Sequence, residues 1–357
     1  MGTVTLQVVV GGQFGSEAKG AVTAAICNDE WASGRDVTVV RIGGPNAGHS
    51  AVDKLGRLWA LRQIPVGMVV DDQVTGVIAD GSEIDFPVLL DEITQLEDAG
   101  IPIRDRLYVS DEATLITDAH KATEGGMVGR IGSTGKGIGA ARADRIMRIA
   151  RRVGDDQVTF DHYGIRVKRG LEVCENLNRM ARDFGNSVVL EGTQGYGLGL
   201  TAGFYPQCTS SNTRAVDFLA MAGINPWGTL GQRTVVHVVV RPYPIRVAGN
   251  SGPLHGETTW ADLGLDVELT TVTRKPRRVG TWDETVVRAA LTANAPNVRL
   301  ACSMLDQIPE YVEQIGDSDI KVLTPAGRDW IHGLEAEFET EVNWYGTGPR
   351  LQDWRKN

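Results

Sequence analysis

The chain has 357 residues, 42% hydrophobic and 23% charged, which is the composition of a folded globular protein long enough for a large α/β core. Its 36 Lys and Arg against 45 Asp and Glu leave a net charge of -9, so neither nucleic acid nor an anionic membrane is an expected partner and any anion site is local. The start carries no basic, apolar secretion signal, no apolar run reaches bilayer length, and Cys27, Cys174, Cys208 and Cys302 show no metal-binding spacing; the expectation is a cytoplasmic protein with buried, reduced thiols.

Residues 6–12, LQVVVGG, form a short apolar run that stops at glycine, the pattern of a buried parallel strand feeding a loop. A helix is predicted over 18–29, then a β-branched strand over 37–42 and a helix over 86–99. Further strands are predicted at 187–191, 234–240, 298–302 and 320–323, with helices at 213–222 and 283–293 between them. This alternation predicts an α/β fold: a mostly parallel central sheet with helices on both faces, P-loop-NTPase-like, with glycine-rich active-site loops. With no repeat, low-complexity tract or linker, the expectation is one catalytic domain over 1–357.

Four stretches are rich in Gly, Ser and Thr: 11–20, 43–50, 131–139 and 191–213. Ligands of open α/β sheets bind beyond the carboxyl ends of the strands, so one composite site is the economical reading. The first stretch, GGQFGSEAKG, has the glycines, the helix start and the lysine (Lys19) of a phosphate cradle. It is not a strict Walker A loop, because Ala18 precedes the lysine and Ala21 takes the Ser/Thr position; such a turn also serves as a plain connector. The second, GGPNAGHS, sets His49 directly after a strand among small residues, where a ring is accessible for acid–base work. Basic clusters at 142–152 and 274–278 read equally well as solvated faces or as local anion sites.

These two stretches strongly resemble the signatures of adenylosuccinate synthetases. The similarity continues in order through GSTGKGIG (132–139), EGTQG (191–195), YPQCTSSNT (205–213), TVTRKPRRVG (271–280) and GTGP (346–349), which spans nearly the whole chain. The resemblance implies a ligase that transfers a γ-phosphoryl group to O6 of a 6-oxopurine nucleotide and then displaces it with the amine of L-aspartate. Phosphorylation is needed because a purine carbonyl oxygen is a poor leaving group, and the charge that develops calls for Mg²⁺ and fixed donors. By position, Gly15, Ser16, Glu17, Ala18, Lys19 and Gly20 match the triphosphate cradle, together with Gly48, His49, Ser50, Asp306, Gly346, Gly348 and Pro349. Asn46, Ser133, Thr134, Gln194 and Thr209 match residues that hold the purine monophosphate, and Arg148 one that reaches it from the neighbouring subunit, which implies a homodimer. Thr271, Val272, Thr273, Lys275 and Arg277 match the aspartate-binding loop, although the family usually has glycine at Arg274 and arginine at Lys275. His49 matches the general acid, the resemblance puts it in a catalytic set with Ser16, Lys19 and Gln194, and Ser16 and the Gly48 carbonyl match the metal-binding positions.

The chain also departs from the family. Ser16 stands where other members have the aspartate that takes the N1 proton and binds Mg²⁺; a hydroxyl is a poor base and a weaker ligand. It leaves room for the 2-amino group of guanine, as in the phage-encoded branch that condenses dGMP with aspartate. Met304 replaces a lysine that, with Asp306, reads the guanine of GTP, which points to ATP or dATP as donor. The region 150–190 is shorter than usual. The sequence-level reading is therefore a dGMP–aspartate ligase driven by ATP. The alternatives are an ordinary IMP- and GTP-using synthetase and an inactive nucleotide-binding relative.

Overall fold

The computed structural model describes residues 5–126, 128–225, 227, 234–270, 275–316 and 319–357. Ten strands form one central sheet: β1 (Leu6–Gly11), β2 (Asp36–Arg41), β3 (Thr75–Ile78), β4 (Leu107–Ser110), β5 (Arg166–Lys168), β6 (Asn186–Glu191), β7 (Thr234–Val240), β8 (Val298–Cys302), β9 (Val342–Gly346) and β10 (Trp354–Lys356). Their spatial order is β10-β9-β8-β7-β1-β6-β2-β3-β4-β5, and every pairing is parallel except that of the edge strand β10 with β9.

The central strands are apolar on both faces because helices cover both faces. On one side Val9, Val39, Val189, Val239 and Ala301 pack with α1 (Lys19–Ala32) and α2 (Phe86–Asp98). On the other, Val8, Val40, Val188, Leu190, Val238 and Val240 pack against the helices that begin at residues 170, 215, 284 and 325. Among the described residues the other α-helices of seven residues or more are α3 (Asp118–Gly125), α4 (Ile138–Met147), α5 (Gly170–Met180), α6 (Ala215–Met221), α7 (Glu284–Asn294) and α8 (Pro325–Phe338). Side-chain caps start several of them: Thr117 for α3, Asp283 for α7 and Thr324, followed by a first-turn proline, for α8. No helix among the described residues is long and apolar enough to cross a membrane.

The buried strands β1, β2, β6, β7 and β8 fall where the hydrophobic runs predict them. Residues 320–323 do not: Lys321–Leu323 pairs antiparallel with Val312–Gln314 in a separate hairpin. The missing sheet positions are taken by β3, β4 and β5 at one edge and β9 and β10 at the other, segments of three to five residues whose length alone does not distinguish them from loops. Of the four cysteines, Cys27 and Cys302 are buried, Cys174 and Cys208 are half-buried, and none is bonded to another.

Candidate active site

Because the strands run parallel, β1, β2, β6, β7, β8 and β9 all end on one edge of the sheet, and the glycine-rich loops gather there. The loop between β1 and α1 turns through three left-handed residues, Gly15 (φ 89°), Ser16 (φ 58°) and Ala18 (φ 62°). The fully buried Glu17 carboxylate braces it from inside, accepting the amides of Gln13 (3.2 Å) and Gly15 (2.6 Å) and the Lys19 ammonium (2.7 Å). Glu17 thus holds the loop's curvature and keeps Lys19 folded in. Gln194, itself left-handed at φ 63°, lies against this loop, and a Cβ on Gly11 would come within 2.5 Å of its carbonyl oxygen. Only glycine at 11 permits that approach.

Around Ser16 the structure assembles groups that are far apart in sequence. Arg241, directly after β7 and fully buried, donates to the Ser16 carbonyl (3.2 Å), to Gln307 (3.2 Å) and to both oxygens of Glu268. Burial would raise the Glu268 carboxyl, but Arg241, together with Arg277 and Gln307, holds its pKa below the ordinary value. Arg277 donates from Nη1 to the Ser16 hydroxyl, so the candidate aspartate loop and the phosphate loop meet at that side chain. Lys275 is exposed, and Thr271, Val272 and Thr273 lie outside the described residues.

His49 begins a small hairpin, His49–Val52 with Leu58–Leu61, beside the start of α1. Its Nδ1 faces Glu191 Oε1, and Arg41 Nη1 lies 2.5 Å from both atoms. All three side chains are buried. Burial first, and then Arg41, push the imidazole pKa down to about 4, against the pull of Glu191. Burial would raise the Glu191 carboxyl; Arg41 and His49 reverse that and keep it ionised.

The candidate monophosphate loops are tied to one another. Asn250 donates to the Arg130 carbonyl (2.9 Å) and Gln207 to Asn250 (3.3 Å), while the Thr209 amide donates to Leu198 (2.8 Å). Ser133 and Asn46 are half-buried and Thr134 is exposed. Glu124 accepts the amides of Gly137 (2.7 Å) and Ala140 (3.3 Å), so the start of α4 is already capped. Arg142 is paired with Glu83 (2.6 Å) and Arg145 with Glu112 (2.7 Å), whereas Arg148, left-handed at φ 63° at the end of α4, is exposed. Asp306, after β8, meets Lys321 at 3.8 Å, and the Lys321 carbonyl accepts the Thr347 hydroxyl (2.9 Å) just beyond Gly346. Burial raises the Asp306 carboxyl, and Lys321 offsets part of the effect. A cation therefore stands beside Asp306 although position 304 is methionine. Gly348 is half-buried, while Pro349, Gly48 and Ser50 are exposed.

The sequence profile of the adenylosuccinate synthetase family matches residues 8–168 and 159–316. The chain belongs to that family. The adenylosuccinate synthetase of Pyrococcus horikoshii is 35% identical over 97% of this chain and 96% of its own, and that of Methanocaldococcus jannaschii is 33% identical over 98% and 95%. Among solved structures, the succinoaminodeoxyadenylate synthetase of cyanophage S-2L, bound to dGMP and to dATP as an energy donor, superposes with a TM-score of 0.80. It is 26% identical and covers 99% of this chain and 96% of its own. The fully ligated adenylosuccinate synthetase of Plasmodium falciparum (TM-score 0.78, 22% identical, full coverage of both chains) shares the fold. As a member of this family the chain is a purine-nucleotide ligase that forms a C–N bond.

In this synthetase, several groups at the site are not picked out by loop composition. Arg41, Glu191 and Arg241 are ionisable side chains at or directly after the ends of apolar strands, Glu268 lies in an irregular loop, and Gln13 joins β1 to β7 by exchanging hydrogen bonds with the Arg241 backbone (3.0 and 3.1 Å). The usable signal was a charged residue closing an apolar run: RI at 41–42, EG at 191–192 and RP at 241–242. A charge at that point cannot stay in the sheet's core unpaired, so it faces a partner at the edge where ligands bind.

Proposed function

We propose that this ligase condenses dGMP with L-aspartate at the expense of ATP or dATP, through a 6-phosphoryl purine, to give 2-amino-2′-deoxy-N6-succinyladenylate, as one catalytic unit over 1–357. The observation that carries the reading is Ser16. No carboxylate occupies that position, and its hydroxyl is bound by the cation Arg277, which leaves space and a polar oxygen for a 2-amino group. The likeness to the cyanophage enzyme, whose structure holds dGMP and dATP, supports the same substrate pair.

In this reading Lys19, Gly20 and the loop amides receive the triphosphate, and Lys19 exchanges Glu17 for phosphate oxygens. Asn46, Ser133, Thr134, Gln194 and Thr209 hold dGMP, with Arg148 of a second subunit on its phosphate. Arg277, flanked by the 271–275 segment, takes the carboxylates of aspartate, and its contact with Ser16 sets the amine next to the purine. His49 stabilises the charge that develops at O6. Among the described residues no three His, Cys, Asp or Glu side chains cluster as metal ligands, which fits Mg²⁺ held mainly by phosphate oxygens. The Gly48 carbonyl would complete its shell, whereas Ser16, already bound by a cation, is a poor donor to it. Bound Mg²⁺ would neutralise the phosphate charge.

A specific observation also favours the ordinary reaction with IMP and GTP. The whole-length relatives at 33–35% identity are adenylosuccinate synthetases, and Lys321 restores a cation beside Asp306. Phosphate release is to be measured with aspartate, Mg²⁺, dGMP or IMP, and ATP, dATP or GTP. The expected outcome is turnover with dGMP and an adenine triphosphate; turnover with IMP alone would establish the ordinary enzyme instead.

A further inference from the structure

Glu191 closes β6 and Arg41 closes β2, and the parallel register sets the two on the same rung. Both project to the α1 face with Val39 and Val189. The Glu191 carboxylate uses both oxygens: Oε2 accepts the Val66 amide at 2.9 Å, and Oε1 faces Arg41 and Nδ1 of His49. Arg41 is itself pinned, since its Nη2 donates to the carbonyls of Ala47 (2.5 Å) and Arg62 (3.1 Å). The backbone on both sides of His49 is therefore tied to the same guanidinium. On the α1 side, a Cβ on Gly20 would lie 2.8 Å from that of His49, so glycine at 20 is what lets the ring come this close to the sheet.

Nδ1 faces an acceptor, Glu191 Oε1, and a donor, Arg41 Nη1 at 2.5 Å; with Nη1 donating to the carboxylate, a proton on Nδ1 pointing at Glu191 pairs the ring, whereas a bare Nδ1 would face an ionised oxygen. Arg41 keeps its own N–H for the carboxylate. Nε2, on the opposite edge of the ring, makes no hydrogen bond to any described residue and is the atom left for a substrate.

We propose that Glu191, backed by Arg41, is the positioning residue of His49: it fixes the imidazole as the Nδ1–H tautomer and turns Nε2 toward the purine oxygen that is phosphorylated. Glu191 touches neither nucleotide; it acts through the ring. The inference rests on the function proposed above for the role of Nε2, but not for the tautomer.

Two measurements test it. Nitrogen-15 NMR of the histidines in the free, full-length protein, with His49→Asn to assign the resonance, reads the tautomer without any change at Glu191; Nδ1–H is expected, and an Nε2–H tautomer would overturn the proposal. Glu191→Gln keeps the shape but removes the charge, so the tautomer should become mixed. Phosphate release should then fall about 100-fold or more in kcat, by analogy with an orienting carboxylate lost from a catalytic histidine. KM for both nucleotides should stay within about threefold, because no nucleotide contact is lost. Glu191→Asp, which restores the charge, should recover part of the loss. A purely structural ion pair predicts the opposite: once folding is verified by circular dichroism, Glu191→Gln would keep its kcat, and that result would also overturn the assignment. Should the wild-type protein turn over neither dGMP nor IMP, the proposed reaction fails, while the NMR result still decides what Glu191 does to His49.

Discussion

Ser16 is the residue on which the substrate assignment turns, and its surroundings make the consequence of changing it calculable in sign. It lies at φ 58°, a region that aspartate tolerates better than most side chains, so Ser16→Asp should fold. The new carboxylate would pair with Arg277, now bound to the serine hydroxyl, and would occupy the volume next to N1 of the purine. Use of dGMP, as kcat/KM, should drop about tenfold or more, equivalent to ~1.4 kcal/mol of lost transition-state binding, while IMP gains relative to it. Initial rates on the two nucleotides with the same protein sample check this. Unchanged use of dGMP would remove the steric account of Ser16.

The phosphate loop is the element in which local strain is concentrated. Ser16 and Ala18 are non-glycine residues in left-handed conformation, a state that costs an L-residue about 1–2 kcal/mol. Glu17 offsets this by accepting two loop amides and the lysine from within. Ala18 has no side-chain hydrogen bond to lose as the residue preceding α1. Ala18→Gly should therefore stabilise the protein by about 1 kcal/mol, less the extra freedom glycine gains in the unfolded chain. A urea midpoint that rises at constant slope is the expected result; a midpoint that falls would show that the alanine methyl contributes more by packing than its backbone costs.

At the scale of the whole molecule, the turn that ends α4 carries an exposed apolar surface. Ile146 (70% exposed), Met147 (67%) and Ile149 (69%) surround Arg148, whose neighbours Arg142 and Arg145 are held by carboxylates. Three neighbouring apolar side chains in water, beside an arginine with no side-chain partner among the described residues, fit a surface that a second copy covers. Light scattering is expected to give twice the chain mass. Ile146→Glu should shift it toward the single chain and, if Arg148 works in the partner's site, lower dGMP-dependent phosphate release at least about tenfold. Full activity in a monomeric variant would exclude a shared site.

Much of this architecture was legible beforehand because its signals are local. A short apolar, β-branched run reads as a covered strand, and five predicted strands stand where their composition puts them, three of them running into glycine loops. The phosphate loop, His49 and Arg277 announce themselves by residue type and by their likeness to a known family. What the sequence by itself determined is therefore the family, a glycine-rich loop with the residue types of a phosphate cradle, and the serine at position 16. Which charges meet was decided only by the tertiary structure. Arg41 and Glu191 stand 150 positions apart and become partners through one rung of strand register. Ser16 and Arg277 are separated by 261 positions, and Lys321 reaches Asp306 from a hairpin outside the sheet. The physical reason is that burial raises the cost of leaving any of these charges alone, while the identity of the neighbour depends on how distant segments pack.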